Sequence, residues 1–327
     1  MSSQPQFILH IGYPKTGTTT LQNHFFDVHP EIENIGKPFS DRHLDNILLI
    51  CRELTDTHSD LFDKNFEKHK KQLSKIIHDN NSSTLVLSHE HLCGFWNKDK
   101  DDKKLFQRIH DLFYSILPDS FVFKIMLSIR NQQSLVLSSY VEKRFSIFED
   151  YKLEDFIHDG LNNPCDTLVF QAMFFLNKIK NLEKYFDKDQ IHILVFEDLK
   201  NDFEFFCSNL SGIFGFDKET CSGCLEDSHD NKKRVVNGAY KTKLTLPLYI
   251  LKTIRKYTGL KLYIRNYKTR MLVKRLLNYA SFNLGVKQDQ DVQLSSEEKN
   301  AIYRIYRNNN LELMQKYGLQ LDKYGYV

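Results

Sequence analysis

The sequence predicts an α/β protein with a central parallel sheet flanked by helices, and two observations predict it. Apolar runs of strand length alternate with helical stretches, and the polar residues suited to chemistry each follow the C-terminal end of such a run. The runs are Phe7–Ile11, Thr84–Ser88, Phe121–Ile129 and Ile191–Phe196. Strand-then-helix order argues for parallel crossovers, and open parallel sheets hold ligands beyond the carboxyl ends of their strands. The 327 residues suffice for one sizeable core, and length alone fits a long α/β domain with insertions as well as two domains; we take 1–327 as a single α/β domain. Helical insertions are expected at about 36–83 and 240–290, together with a basic C-terminal helical region.

The first run enters Gly12-Tyr13-Pro14-Lys15-Thr16-Gly17-Thr18-Thr19-Thr20-Leu21, a glycine-framed loop opening a helix. Such a loop lets backbone N–H groups converge on an anion, with a cation and a helix N-terminus to neutralise it. The arrangement is P-loop-like. In G-x-x-x-x-G-K-[ST] the lysine directly follows the second glycine; here Gly12 and Gly17 keep the spacing, but the lysine moves inside the loop to Lys15.

The second run, Thr84–Ser88, is preceded by a charged helical stretch from about Asp63 to Ile77 and followed by His89-Glu90-His91. The third is nearly continuously apolar and ends at Arg130. The following stretch has helical spacing that sets Ser134, Ser138 and Val141 on one side. An arginine fork at a strand end and a serine hydroxyl two turns into the next helix suit a single terminal phosphate. Two anion sites imply two separate phosphates. The fourth run leads through Glu197-Asp198-Leu199 into a helix reaching about Phe214.

The P-K-T-G-T-T wording resembles the 5′-phosphosulfate loop of sulfotransferases, which bind 3′-phosphoadenosine 5′-phosphosulfate (PAPS). Arg130, Gln132, Ser138 and Tyr140 resemble the 3′-phosphate motif of the same family, without the proline and second arginine of its common eukaryotic version. V-F-E-D-L at 195–199 also resembles the family, and Asn308-Asn309-Asn310-Leu311 with Tyr317-Gly318-Leu319 and Tyr324-Gly325-Tyr326 resembles the tail of its bacterial carbohydrate-type branch. The resemblance implies donor binding by Pro14, Lys15, Thr16, Gly17, Thr18, Thr19, Arg130 and Ser138. Lys233 and Arg234 would belong to a loop closing over the adenine and 3′-phosphate. It also implies a sulfuryl group passed in line to a carbohydrate or glycolipid hydroxyl, with 3′,5′-adenosine bisphosphate as product and no metal required. Lys15 would stabilise the leaving phosphate. Glu90 is the first choice for the base, His89 the second and His91 the third, against the plain alternative of a polar strand cap.

Two other functions compete with this one. A metal-dependent P-loop kinase or NTPase would use Asp198 to hold magnesium. A non-catalytic nucleotide-binding or membrane-surface protein would keep the loop without turnover. The net charge of +3 is too small to argue for nucleic-acid binding. With no N-terminal apolar stretch of signal or spanning length, the expected location is cytoplasmic, including the inner face of the membrane. Six scattered cysteines fit a reduced compartment, and Cys221 and Cys224 with His229 lack a second ligand pair for zinc. From Asn231 to Gln288 there is no Asp or Glu among many Lys and Arg, and aromatic and aliphatic residues interleave with them. Residues 241–275 therefore read either as a solvated helical face or as a contact for an anionic membrane or acidic glycan.

Overall fold

The structure, a computed structural model, describes residues 4–37, 44–80, 82–93, 101–144, 152–226, 235–236, 239–243 and 289–327. Strand β1 (Gln6–His10) is buried along its whole length, because it lies in the middle of a five-stranded sheet ordered β2-β3-β1-β4-β5. Its companions are β2 (Ile32–Asn34), β3 (Thr84–Ser88), β4 (Val122–Ile129) and β5 (Ile191–Val195). Every pairing in this sheet is parallel, with Leu9 opposite Leu87 on one side and Ile125 on the other. The four expected strands are thus present within a residue at either end. The fifth, β2, has three residues, too few to show a period in the sequence.

Side chains alternate across β1 as a strand requires, and both faces are covered. Ile8 joins Val86, Met126 and Leu194 on one face, under α1 (Thr18–Leu21) and the π-helical turn Gln22–Phe26 that continues it. Phe7 and Leu9 face the larger core, roofed by α2 (Leu44–Thr55), α4 (Phe66–His78) after the short α3 (Leu61–Lys64), and α5 (Asp102–Tyr114). Helices α6 (Gln132–Arg144), α7 (Leu153–Asn162), α8 (Leu168–Ala172) and α9 (Phe175–Leu182) complete that side. After β5 the chain forms α10 (Phe196–Asn201), then α11 (Phe203–Phe214) and α12 (Lys218–Glu226); the last two pack on the Ile8 face.

Segment 36–83 is helical as expected where it is described, and Ile47, Ile50, Leu54, Phe62, Leu73 and Ile76 sit in the main core. Of segment 240–290 only the two ends are described, and these are strands rather than helix. They lie in β7 (Ala239–Lys243) and β8 (Asp289–Val292), which form a three-stranded antiparallel sheet with β6 (Val235–Val236). Tyr240 pairs with Val292, so the strands meet across a long stretch of chain that no local pattern links, and Tyr240 and Thr242 are β-favouring types. Residues 244–288, and with them most of the basic stretch 241–275, lie outside the described residues.

The chain returns to the sheet through α13 (Ser296–Tyr317). Ser295 and Glu298 close a reciprocal capping box at its start, and Gly318, with φ 65°, ends it in the left-handed conformation. Ile302, Tyr306 and Leu313 anchor the helix in the main core.

Candidate active site

The loop after β1 is held by backbone hydrogen bonds from both neighbouring strands. Ile11 N donates to Met126 O and Tyr13 N to Ser128 O, while His89 N donates to His10 O. Beyond this the chain must turn sharply, and Lys15 (φ 69°) and Gly17 (φ 80°) both adopt positive φ. For glycine this costs nothing, and a Cβ at position 17 would also crowd Phe196 at 3.1 Å. For Lys15 it is a strained state that the surroundings must hold. Thr16 Oγ1 donates to Tyr13 O at 2.5 Å, and Arg130 Nη1 donates to the carbonyl of Lys15 at 2.9 Å.

Arg130 therefore does more than end β4. It is only 7% exposed, its Nε donates to Ser134 Oγ at 2.8 Å, and its guanidinium lies 4.7 Å from the Phe196 ring centroid. One arginine braces the strained lysine of the loop and holds positive charge beside it. Ser138, one turn beyond Ser134 on α6, is buried. Pro14, Thr16 and Thr18 are buried, Lys15 and Gly17 partly so, and Thr19 is exposed. Arg130 and Lys15 thus come together where β1 and β4 lead their chains in opposite directions, the crevice in which open α/β sheets bind ligands.

The other two residues of the family-like 3′-phosphate pattern are structural. Gln132 and Asn310 exchange hydrogen bonds (2.9 and 3.1 Å) in the interior, joining α6 to α13, and Tyr140 packs on Phe156. The C-terminal tyrosines anchor the E-D pair: Tyr326 OH donates to Glu197 Oε2 and Tyr324 OH to Asp198 Oδ1. Burial pushes both carboxyls above their usual range, against these hydrogen bonds.

On the opposite side of the loop, the end of β3 presents His89 and Glu90. Glu90 Oε2 lies 3.4 Å from Thr18 Oγ1, and Glu90 Oε1 accepts a 2.9 Å hydrogen bond from Lys37 Nζ. Burial opposes its charge, but the charge and hydrogen bond of Lys37, with His91 and Lys15 behind, prevail and hold the carboxyl below its usual range. His89 is buried beside β1, and His91 is exposed. Of the three candidate bases, Glu90 contacts Thr18 of the loop through its Oε2.

Beneath the loop lies a buried polar group that sequence reasoning missed. His10, 1% exposed, sets Nδ1 2.8 Å from Ser88 Oγ and Nε2 3.3 Å from Ser128 Oγ, and Gln22 Nε2 donates to the same Ser88 hydroxyl. Burial lowers its pKa to about 3, only partly offset by the Glu90 charge, so the ring is neutral. Its only signal in the sequence was a polar residue inside an apolar strand. Lys37 gave no signal at all, and Phe196 none beyond its place in V-F-E-D-L.

A sulfotransferase domain matches residues 5–220. The chain belongs to the PAPS-dependent sulfotransferase family. It is an enzyme of sulfuryl transfer, and the kinase alternative falls with that; Asp198, proposed there as a magnesium ligand, is the carboxylate held by Tyr324. Similar solved structures include a sulfotransferase from Alicyclobacillus acidocaldarius, 14% identical with a TM-score of 0.41 over 67% of this chain and 83% of that one. The sulfotransferase domain of the Synechococcus olefin synthase is 13% identical with a TM-score of 0.39, covering 84% and 96%. The sulfotransferase domain from the curacin biosynthetic pathway is 13% identical with a TM-score of 0.40, covering 84% and 98%. No curated protein matches significantly.

Lys233, Arg234 and His229 lie outside the described residues. Cys221 is buried in the core with Cys207, three positions before Cys224 on α12. Among the described residues no cluster of three or more His, Cys, Asp or Glu is arranged to hold a metal, and no helix is long and apolar enough to cross a membrane.

Proposed function

We propose that this sulfotransferase draws its sulfuryl group from PAPS and transfers it to a hydroxyl of a carbohydrate or glycolipid, with Lys15 stabilising the leaving phosphate and Glu90 accepting the hydroxyl proton. One observation carries the reading: the Glu90 carboxylate contacts Thr18 of the loop at 3.4 Å and feels the charge of Lys15, so base and cation converge on one place. The donor supplies an activated sulfuryl group whose departure leaves negative charge on a phosphate. Loose in-line transfer of this kind, by analogy with phosphoryl transfer, depends on positioning and charge stabilisation. The chain's own donors suit two phosphates. Lys15 with the backbone amides of Thr16 to Thr19 and the hydroxyls of Thr18 and Thr19 forms one group, and Arg130 with Ser138 forms the other. Lys233 and Arg234 are assigned to the second phosphate and the adenine on the resemblance alone. Glu90, kept ionised, is ready to take a proton at neutral pH.

Thermal shift tests the donor. Stabilisation by 3′,5′-adenosine bisphosphate without magnesium is expected, and a response confined to Mg-ATP overturns the reading. Transfer of ³⁵S from labelled PAPS tests the acceptor: label is expected in cell-envelope glycolipid, and label found only on added phenols rejects the carbohydrate assignment. A cytoplasmic enzyme touching the inner membrane surface through 241–275 is part of the same proposal. Binding to anionic vesicles should then weaken with salt.

A further inference from the structure

The stretch from Asn34 to Lys37, after the short edge strand β2, is built with more care than an edge requires. Ile35 N donates to Val86 O and Lys37 N to Ser88 O, prolonging the ladder beyond β2. Asn34 clamps the turn from within: its Oδ1 accepts from Gly36 N at 3.0 Å and its Nδ2 donates to Lys37 O at 2.9 Å. Gly36 presses so closely on β3 that a Cβ there would lie 2.2 Å from Ser88 N. The product of this construction is a lysine whose Nζ meets Glu90 Oε1 at 2.9 Å, with both side chains 27% exposed.

We propose that Lys37 is a positioning residue for sulfuryl transfer: held by the Asn34–Lys37 turn, its ammonium engages one oxygen of Glu90 and leaves the other facing the Thr18 side of the loop as the proton acceptor. The inference rests on the reading of Glu90 as the base. In the step itself, the acceptor O–H breaks and its proton goes to Glu90 Oε2. The acceptor oxygen forms the new bond to sulfur, and the electrons of the old S–O bond leave with the phosphate. Lys37 touches none of the reacting atoms. It selects the oxygen and keeps the carboxyl ionised, trading intrinsic basicity for orientation. Other charged or titratable groups acting on Glu90, among the described residues, include Lys15 from the loop after β1, His91 from its own turn and the neutral His10 from the end of β1. A surface ion pair formed by chance would not come with an internally clamped turn and a glycine packed on the neighbouring strand.

The test reads Glu90 directly. With side-chain carboxyl ¹³C-glutamate in the full chain, the Glu90 resonance is identified by its loss in Glu90→Gln. In wild type it should titrate below the ordinary glutamate range, and Lys37→Met should raise it by about one unit or more, while Lys37→Arg should keep it low. Asn34→Ala, which frees the turn and leaves the lysine, should move it part of the way. With PAPS and water as acceptor, Lys37→Met should lose about tenfold in kcat with little change in KM for PAPS, and Lys37→Arg should recover most of the loss. Affinity for 3′,5′-adenosine bisphosphate should be unchanged in every variant. An unmoved Glu90 titration in Lys37→Met overturns the proposal. So does wild-type hydrolysis by Lys37→Met when Glu90→Gln is impaired, and in that case Glu90 stands as base without Lys37. Wild-type hydrolysis by Glu90→Gln removes the base reading, and the role of Lys37 with it.

Discussion

At the junction of β1 and β4, Lys15, Thr18 and Arg130 come from two stretches of chain, each a run of neighbouring residues that carries a recognisable motif. At the junction of β1 and β3, Glu90 meets Lys37, Thr18 and the buried His10, drawn from separate stretches of which only one carries a motif. The two sides face different chemical demands. A phosphate is recognised by a compact array of backbone amides around one cation, and local sequence can encode such an array. A base is tuned by its surroundings, so the residues acting on Glu90 come from wherever the sheet order sets them.

The largest test of this contrast sets Lys15→Ala against Glu90→Gln. On the donor side, Lys15→Ala should cut PAPS turnover by roughly 10²–10³-fold and weaken bisphosphate binding as well. Glu90→Gln should cost about 10²-fold in turnover with bisphosphate affinity intact. Stopped turnover with titrated binding measures both, and equal losses of binding would erase the division into two sides.

Arg130 sharpens the comparison, because it acts both as brace and as charge. Arg130→Gln should weaken bisphosphate binding by about 1.5–3 kcal/mol and also lower the melting temperature of the free protein, since the strained Lys15 carbonyl and the Phe196 ring lose their partner. Ser138→Ala should lower affinity by about 1 kcal/mol and leave the melting temperature nearly unchanged. Calorimetry and thermal melts separate the two, and an unchanged melt for Arg130→Gln would reduce the arginine to a phosphate ligand alone.

His10, beneath both sides, bears on stability rather than on binding or turnover. Its folded pKa is about 3, against about 6.5 unfolded, so below pH 6.5 the unfolded chain takes up a proton that the folded ring refuses. Its contribution is fully present above pH 6.5 and is lost as the pH falls toward 3. Between pH 6.5 and 5, wild type should lose up to about 1.4 kcal/mol per pH unit more than His10→Asn, by urea unfolding. His29 and His192 are lowered in the same direction but remain in both proteins, so the difference isolates His10. Identical slopes would mean that the ring is not held neutral.

Much of the fold was legible because buried parallel strands are apolar throughout, and four such runs stood out. β2 did not, having three residues, and β7 and β8 did not, because their pairing spans a long stretch of chain. Gln132 was legible as part of a motif, but its partner Asn310 on α13 shows that it ties two helices together. Lys37 sat unmarked in a segment read as an insertion.

The sequence by itself determined the loop, the arginine at the end of β4 and the acidic pair after β5, because each is a local arrangement whose neighbours in space are its neighbours in the chain. Only the tertiary structure decided that β1 lies between β3 and β4, so that Glu90 and Arg130 flank Lys15 from opposite sides. It also decided that Lys37 from an edge strand reaches Glu90. The physical reason is that strand order is set by burying both faces of the sheet at once, a condition on the whole chain that no local stretch expresses.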